Sequence, residues 1–110
     1  MSIGTLPKHG AGIRTAAEVR DVLRELRERR DKPRVHGART ALRWALDPRQ
    51  DPPLPMEPTP VDALLRLMTQ ERTALAVRHD PQHPPRQRRE AHGVAQALGW
   101  VLGYRPDPPA

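Results

Sequence analysis

Apolar residues recur at helical spacing in four separate stretches of the chain. The first stretch follows Thr15-Ala16-Ala17-Glu18, a sequence typical of a capping box, in which a Thr hydroxyl and a Glu carboxylate each accept from the other's backbone amide. Its apolar stripe comprises Val19, Val22, Leu23 and Leu26. We expect this helix to end near Asp31, because Pro33 disfavours helical backbone at the residue before it.

Prolines mark the boundaries of the other three predicted helices. Pro33 suits the first turn of a second helix, which should end before Pro48. Thr59-Pro60 predicts the start of a third helix that ends at His79-Asp80-Pro81, and Pro84-Pro85 opens a fourth. Gly103 is placed to stop the fourth helix. Residues 47–60 are rich in proline and predict an extended linker, so the chain as a whole is expected to be all-α.

The second half of the chain repeats part of the first. A shift of 56 residues superimposes residues 36–53 on residues 92–109 with 10 identities in 18 positions and no gap. Composition alone would give about one or two identities over that length. The shared pattern is H-G-x(3)-A-L-x-W-x-L-x(2)-R-x-D-P-P, and the two tryptophans of the chain coincide. We interpret this as an internal duplication that produces two tandem helical hairpins related by a pseudo-two-fold axis.

This duplication gives a domain organisation with one compact domain. Residues 1–14 contain several glycines and are expected to form a flexible tail. Residues 15–53 form the first hairpin with its Pro-rich exit, residues 54–58 the linker, and residues 59–109 the second hairpin.

Small residues four positions apart in each repeat predict a close helix crossing. Glycine inside a helix costs about 0.5–1 kcal/mol relative to alanine, so its presence in both repeats needs a packing reason. We expect the second and fourth helices to cross at the glycines, with each tryptophan packed beside the crossing. The residues assigned to this structural role are Gly37, Ala41, Trp44, Gly93, Ala97 and Trp100.

Positive charge clusters before each repeat. The chain has 19 basic and 13 acidic residues and a net charge of +6. Because arginine greatly outnumbers lysine, much of this charge is typical of a high-GC bacterial genome. The second cluster nevertheless opens a helix, where cations oppose the helix dipole. Such a cluster predicts contacts with phosphates or an acidic partner, and the candidate residues are Arg30, Lys32, Arg86, Arg88 and Arg89.

Chemistry of other kinds has little support in the sequence. Cysteine is absent, and His79 and His83 are separated by Pro81 without an evident third ligand, so we expect no metal site. No nucleophile motif, acid–base pair or Gly-rich phosphate loop is present, so we expect no catalytic residue, no cofactor and no enzymatic activity. No segment has the length and apolarity of a signal peptide or a membrane span, which predicts a cytoplasmic protein that does not contact membranes.

Two binding functions stay open at this point. Residues 93–99 resemble the first helix and turn of a helix-turn-helix unit, but the sequence WVLGYRPDPP follows where a recognition helix should stand, so we interpret the segment as a core helix. The leading expectation is a non-enzymatic interaction or adaptor protein that binds a protein partner or itself. The alternative is a nucleic-acid accessory protein that contacts duplex phosphates through the duplicated basic segments.

Overall fold

Four α-helices make up the fold of this chain in its computed structural model, which describes residues 14–47, 51–55 and 63–109. Helix α1 spans Ala16–Arg27, α2 spans Pro33–Leu46, α3 spans Ala63–His79 and α4 spans Pro85–Val101. No strand occurs in these ranges, so the all-helical prediction is confirmed for them. The start predicted for α3 at residues 59–60, most of the predicted tail and much of the linker lie outside the described residues.

Helix α1 begins as predicted but ends earlier than predicted. The Thr15 side chain accepts from the Glu18 amide, and the Glu18 side chain accepts from the Thr15 amide, which completes the capping box. The expected end near Asp31 is wrong, because the last helical residue is Arg27. At this end the Arg29 amide makes an i→i+3 bond of 3.1 Å to the Leu26 carbonyl oxygen, which tightens the last turn. The same oxygen accepts from the guanidinium of Arg39 on α2, whose Nε and Nη2 lie 2.9 and 2.7 Å away.

Helices α2 and α4 both begin at a proline, as the sequence predicts. Helix α4 ends in a Schellman arrangement, in which the Tyr104 amide donates to the Gly99 carbonyl and the Gly103 amide to the Trp100 carbonyl. Gly103 has a φ of 84°, a conformation that favours glycine. Because α4 continues through Gly99 to Val101, no turn of a helix-turn-helix unit occurs there.

The core lies where α2 and α4 pack together. Their contact is the most extensive between helices, α3 packs on α4, and α1 packs on α2. Trp44 and Trp100 are 1% and 4% exposed, so the duplicated tryptophans belong to the core rather than to an open surface. Leucine, valine and alanine fill the remaining core positions, and alanine allows the helices to approach closely.

Part of the linker is fixed to the core by a buried glutamine. Gln70 is 0% exposed, and its Oε1 accepts from the Leu54 amide at 2.6 Å. Its Nε2 donates to the Leu54 carbonyl at 3.2 Å. Residues 51–55, which we call the strap, therefore run along α3 in a defined place although they contain no helix or strand.

Arg14, which the sequence analysis places in a flexible tail, is held against the end of α4. Its backbone amide donates to the Val101 carbonyl at 3.1 Å, and its Nε donates to the Trp100 carbonyl at 3.0 Å. The guanidinium also lies 5.0 Å from the centre of the Trp100 ring, a cation–π distance. Arg14, the last residue of the predicted tail, thus has defined contacts with the end of α4, where carbonyls need donors.

Candidate functional site

The crossing of α2 and α4 brings backbone against backbone at two glycines. A Cβ placed on Gly37 would overlap the Glu90 carbonyl oxygen and would lie 2.9 Å from the Glu90 carbonyl carbon. A Cβ placed on Gly93 would overlap the Arg34 carbonyl oxygen and would lie 2.9 Å from the Ala38 amide nitrogen. Only glycine fits at these two positions, because every other residue would add an atom where none can be accommodated.

These two close contacts are reciprocal in sequence. Gly37 meets residue 90 and Gly93 meets residue 34, and the 56-residue shift exchanges one pair for the other. As the residue number rises along α2, the number of the facing residue on α4 falls, so the two helices run in opposite directions past each other. Gly37 is four residues after the start of α2 and Gly93 eight after the start of α4, which places the crossing about 6 and 12 Å from the two helix starts.

The other predicted members of the repeat lie in the buried face of the same two helices. Ala41 and Ala97 are both 0% exposed. Trp44 and Trp100 each follow their glycine by two helical turns, about 10 Å along the axis. Each ring is covered by an arginine from another segment, since Arg66 of α3 lies 5.6 Å from the Trp44 ring centre, much as Arg14 does at Trp100.

Most of the predicted basic contacts are exposed and lack acidic partners. Arg30 and Lys32 precede α2, and Arg86 and Arg89 lie in the first turns of α4; all four are exposed. Neither α2 nor α4 has an acidic residue in its first turn or a side-chain cap at its start. Within the residues that the structure describes, these four side chains form no ion pair and no hydrogen bond.

Arg88 differs from the other candidates, because it is tied to the turn that precedes α4. Its Nε donates to the His83 carbonyl at 3.1 Å, and the residue is partly buried. In the same turn the His83 Nδ1 lies 3.2 Å from an Asp80 carboxylate oxygen, and the Gln82 amide donates to the other oxygen. Arg88 therefore stabilises the α3–α4 connection, a local role that the sequence did not reveal.

The two duplicated histidines occupy different electrostatic surroundings. The His36 Nε2 lies 3.9 Å from a Glu90 carboxylate oxygen, and its side chain is half exposed. His92 is partly buried, and burial lowers the pKa of its ring, with the positive charges of Arg78 and Arg34 as further causes. The equivalent partner positions thus carry opposite charges, Glu90 beside His36 and Arg34 beside His92.

A cleft of about 430 Å³ lies between α2, α4, the end of α3 and the strap. Leu54, Val77 and Val94 contribute apolar walls, and His36 and Glu90 contribute polar groups. No sequence motif marks this cleft, because its residues come from α2, α3, α4, the α3–α4 turn and the strap. The prolines of the strap, Pro53 and Pro55, were its only sequence signal.

His79, at the end of α3, and His83, in the turn before α4, both lie in the described part of the chain. No cluster of three or more His, Asp or Glu side chains there could hold a metal ion. Also within this part, every helix is too short or too polar to cross a membrane.

Comparison with protein-family models, with curated proteins and with solved structures finds no match for this chain.

Proposed function

We propose that this protein binds the phosphate backbone of duplex nucleic acid as a non-enzymatic accessory protein. The observation that carries the proposal is the exposed, unneutralised charge of Arg30, Lys32, Arg86 and Arg89 at the starts of α2 and α4. Cations at helix N-termini oppose the helix dipole by about 0.3–1 kcal/mol each. A polyanion bound at these ends would offset that repulsion.

The reciprocal crossing places the starts of α2 and α4 on opposite sides of one helix contact. Because the two helices cross within about 12 Å of both starts, a duplex that spans the crossing would reach both basic segments. A duplex carries one phosphate per about 1.7 Å of its axis, so a short stretch can neutralise both segments. Such contacts position a protein on a duplex without reading its sequence.

We further propose that the two halves arose by duplication as two helical hairpins related by a pseudo-two-fold axis. The identities at the 56-residue shift and the exchange of the Gly37–Glu90 and Gly93–Arg34 contacts support this proposal. The same shift places Arg30 on Arg86, so the duplication would have produced the two basic segments together.

A protein partner or a second copy of the chain is the second candidate. The sequence feature that suggested such a partner was the repeated tryptophan pattern, and both tryptophans are buried. The large apolar residues that are exposed in the described ranges are Leu64, Leu65 and Tyr104. The first two are neighbours on α3 and favour a small apolar contact. Light scattering that gives the monomer mass at high protein concentration would contradict self-association.

Fluorescence anisotropy of a labelled duplex tests the leading proposal. With about four phosphates neutralised, the log–log salt slope should lie between about −3 and −4, so affinity should fall about 100-fold from 50 to 200 mM salt. Arg86→Glu with Arg89→Glu should weaken binding strongly and reduce the slope by about two units.

The control is Arg20→Glu with Arg72→Glu, which changes the net charge equally at exposed positions of α1 and α3. It should retain most of the affinity. Equal losses in the two double variants would contradict a localised site, and no binding at 50 mM salt would contradict duplex binding altogether. Equally tight binding of polyglutamate would instead favour an acidic protein partner.

A further inference from the structure

The cleft between α2, α4, the end of α3 and the strap has the character of a small-ligand site. Its volume of about 430 Å³ falls within the range of 300–1,000 Å³ that is typical of pockets for small molecules. Leu54, Val77 and Val94 supply an apolar lining, and the polar lining residues are His36, Thr40, His83, Gln87 and Glu90. An apolar lining with few polar groups is the usual composition of such pockets.

The wall formed by the strap is fixed by buried hydrogen bonds. Gln70 uses both ends of its amide on the Leu54 backbone, at 2.6 and 3.2 Å, and is itself 0% exposed. A buried amide costs free energy unless it is hydrogen-bonded, so this pairing holds the strap in one position. The cleft is therefore preformed on the strap side, which lowers the ordering cost of binding.

Charge in the cleft selects the class of ligand. Glu90 lines the cleft with a side chain that is 28% exposed, and the His36 Nε2 lies 3.9 Å from its carboxylate. Arg86 and Arg89 on the same helix point their charge into water, where it is screened. The Thr40 hydroxyl donates to the His36 carbonyl at 2.9 Å, so its oxygen keeps its capacity to accept. His36, His83 and Gln87 also line the cleft, and Glu90 is the lining residue that carries an acidic group.

We propose that this cleft binds a small organic amine with an apolar body, its ammonium group on the Glu90 carboxylate and its body against Leu54, Val77 and Val94. The proposal does not depend on duplex binding, because the basic residues assigned to phosphates do not line the cleft.

Three probes with one apolar body test the proposal: phenylbutylamine, phenylbutanol and phenylbutyrate. Titration followed by amide chemical shifts should give the amine an affinity about tenfold or more above that of the alcohol, since a charge-assisted hydrogen bond contributes that much. The butyrate should bind most weakly. The shifts should centre on Thr40, Val77 and Val94.

Substitutions distinguish a specific contact with Glu90 from nonspecific binding. Glu90→Gln should remove the preference for the amine over the alcohol, whereas Glu25→Gln, at an exposed position of α1, should retain it. Thr40→Phe should fill the cleft and weaken all three probes, with a thermal melt to verify folding. Equal affinity for amine and alcohol, an amine preference that survives Glu90→Gln, shifts away from the cleft, or no saturable binding at roughly 10 mM probe would each overturn the proposal.

Discussion

Alanine at Gly37 or Gly93 should destabilise the fold, although alanine is the better helix former. At Gly93 the new Cβ would lie 2.8 Å from the Arg34 carbonyl carbon and 2.9 Å from the Ala38 amide nitrogen. Ordinary contacts between such atoms are about 3.5–4.0 Å, and the overlapping Arg34 carbonyl oxygen is closer still, so α2 and α4 must separate by more than about 1 Å. The atoms that obstruct the Cβ belong to helix backbone, which cannot move aside without moving the whole helix.

The size of the effect follows from two opposing contributions. Overpacking costs about 1–3 kcal/mol and reaches the upper end when backbone must move. Alanine returns up to about 1 kcal/mol through helix propensity. Each single substitution should therefore lower the free energy of unfolding by about 2 kcal/mol, or the melting temperature by about 10 °C in a domain of this size. The double variant should cost less than the sum, because one separation of the helices relieves both contacts.

Thermal unfolding followed by far-ultraviolet circular dichroism measures this effect, with Gly99→Ala as the matched control. A Cβ at Gly99 would meet Arg105 Cδ at 3.0 Å and Cγ at 3.3 Å, and that flexible side chain can move away. The control should therefore melt within a few degrees of the parent protein or slightly above it. Gly37→Ala and Gly93→Ala proteins as stable as the parent would refute the reasoning.

Three further outcomes are expected. Gln70→Leu should lower the free energy of unfolding by about 1–3 kcal/mol and speed hydrogen exchange at the Leu54 amide, because that group loses its acceptor. Arg39→Leu should cost a similar amount in a urea titration, whereas Arg43→Leu, at an exposed position of the same helix, should change stability by less than about 0.5 kcal/mol. Because the pKa of His92 is lowered in the folded state, the unfolded chain binds its proton more readily, so stability should fall as pH drops below about 7 and level off once pH is below the folded pKa. His92→Gln should flatten this dependence over that range, and an unchanged slope would contradict the assignment.

Local signals predicted the helices well where local interactions decide the structure. The capping box at Thr15, the proline starts at Pro33 and Pro85, and the stop at Gly103 each depend on residues within a few positions of the helix end. The end of α1 was predicted wrongly: the Arg29 amide closes the helix on the Leu26 carbonyl, and Arg39, more than ten positions away, donates to the same oxygen. No periodicity in the sequence carries that information.

The residues of the candidate sites also differ in whether the sequence could identify them. The basic segments could be found from sequence, since charge at a helix start is visible in the chain itself. The hydrogen bonds of Arg14 and Arg88 could not be found from sequence. An arginine that donates to backbone carbonyls has the same sequence context as one that faces water. The cleft also escaped prediction, because Gln70 fixes its strap wall through a contact that joins two segments of unrelated pattern.

The residues of the α2–α4 contact differ in how freely they can be substituted. Residues 34 and 90 meet the facing glycines through main-chain carbonyl groups, which every amino acid possesses. Substitutions at these two positions are therefore compatible with an unchanged helix packing, while positions 37 and 93 are confined to glycine. Arg34 and Glu90 already carry opposite charges there. Evolution can thus vary the surface charge beside the tightest contact of the fold without repacking it.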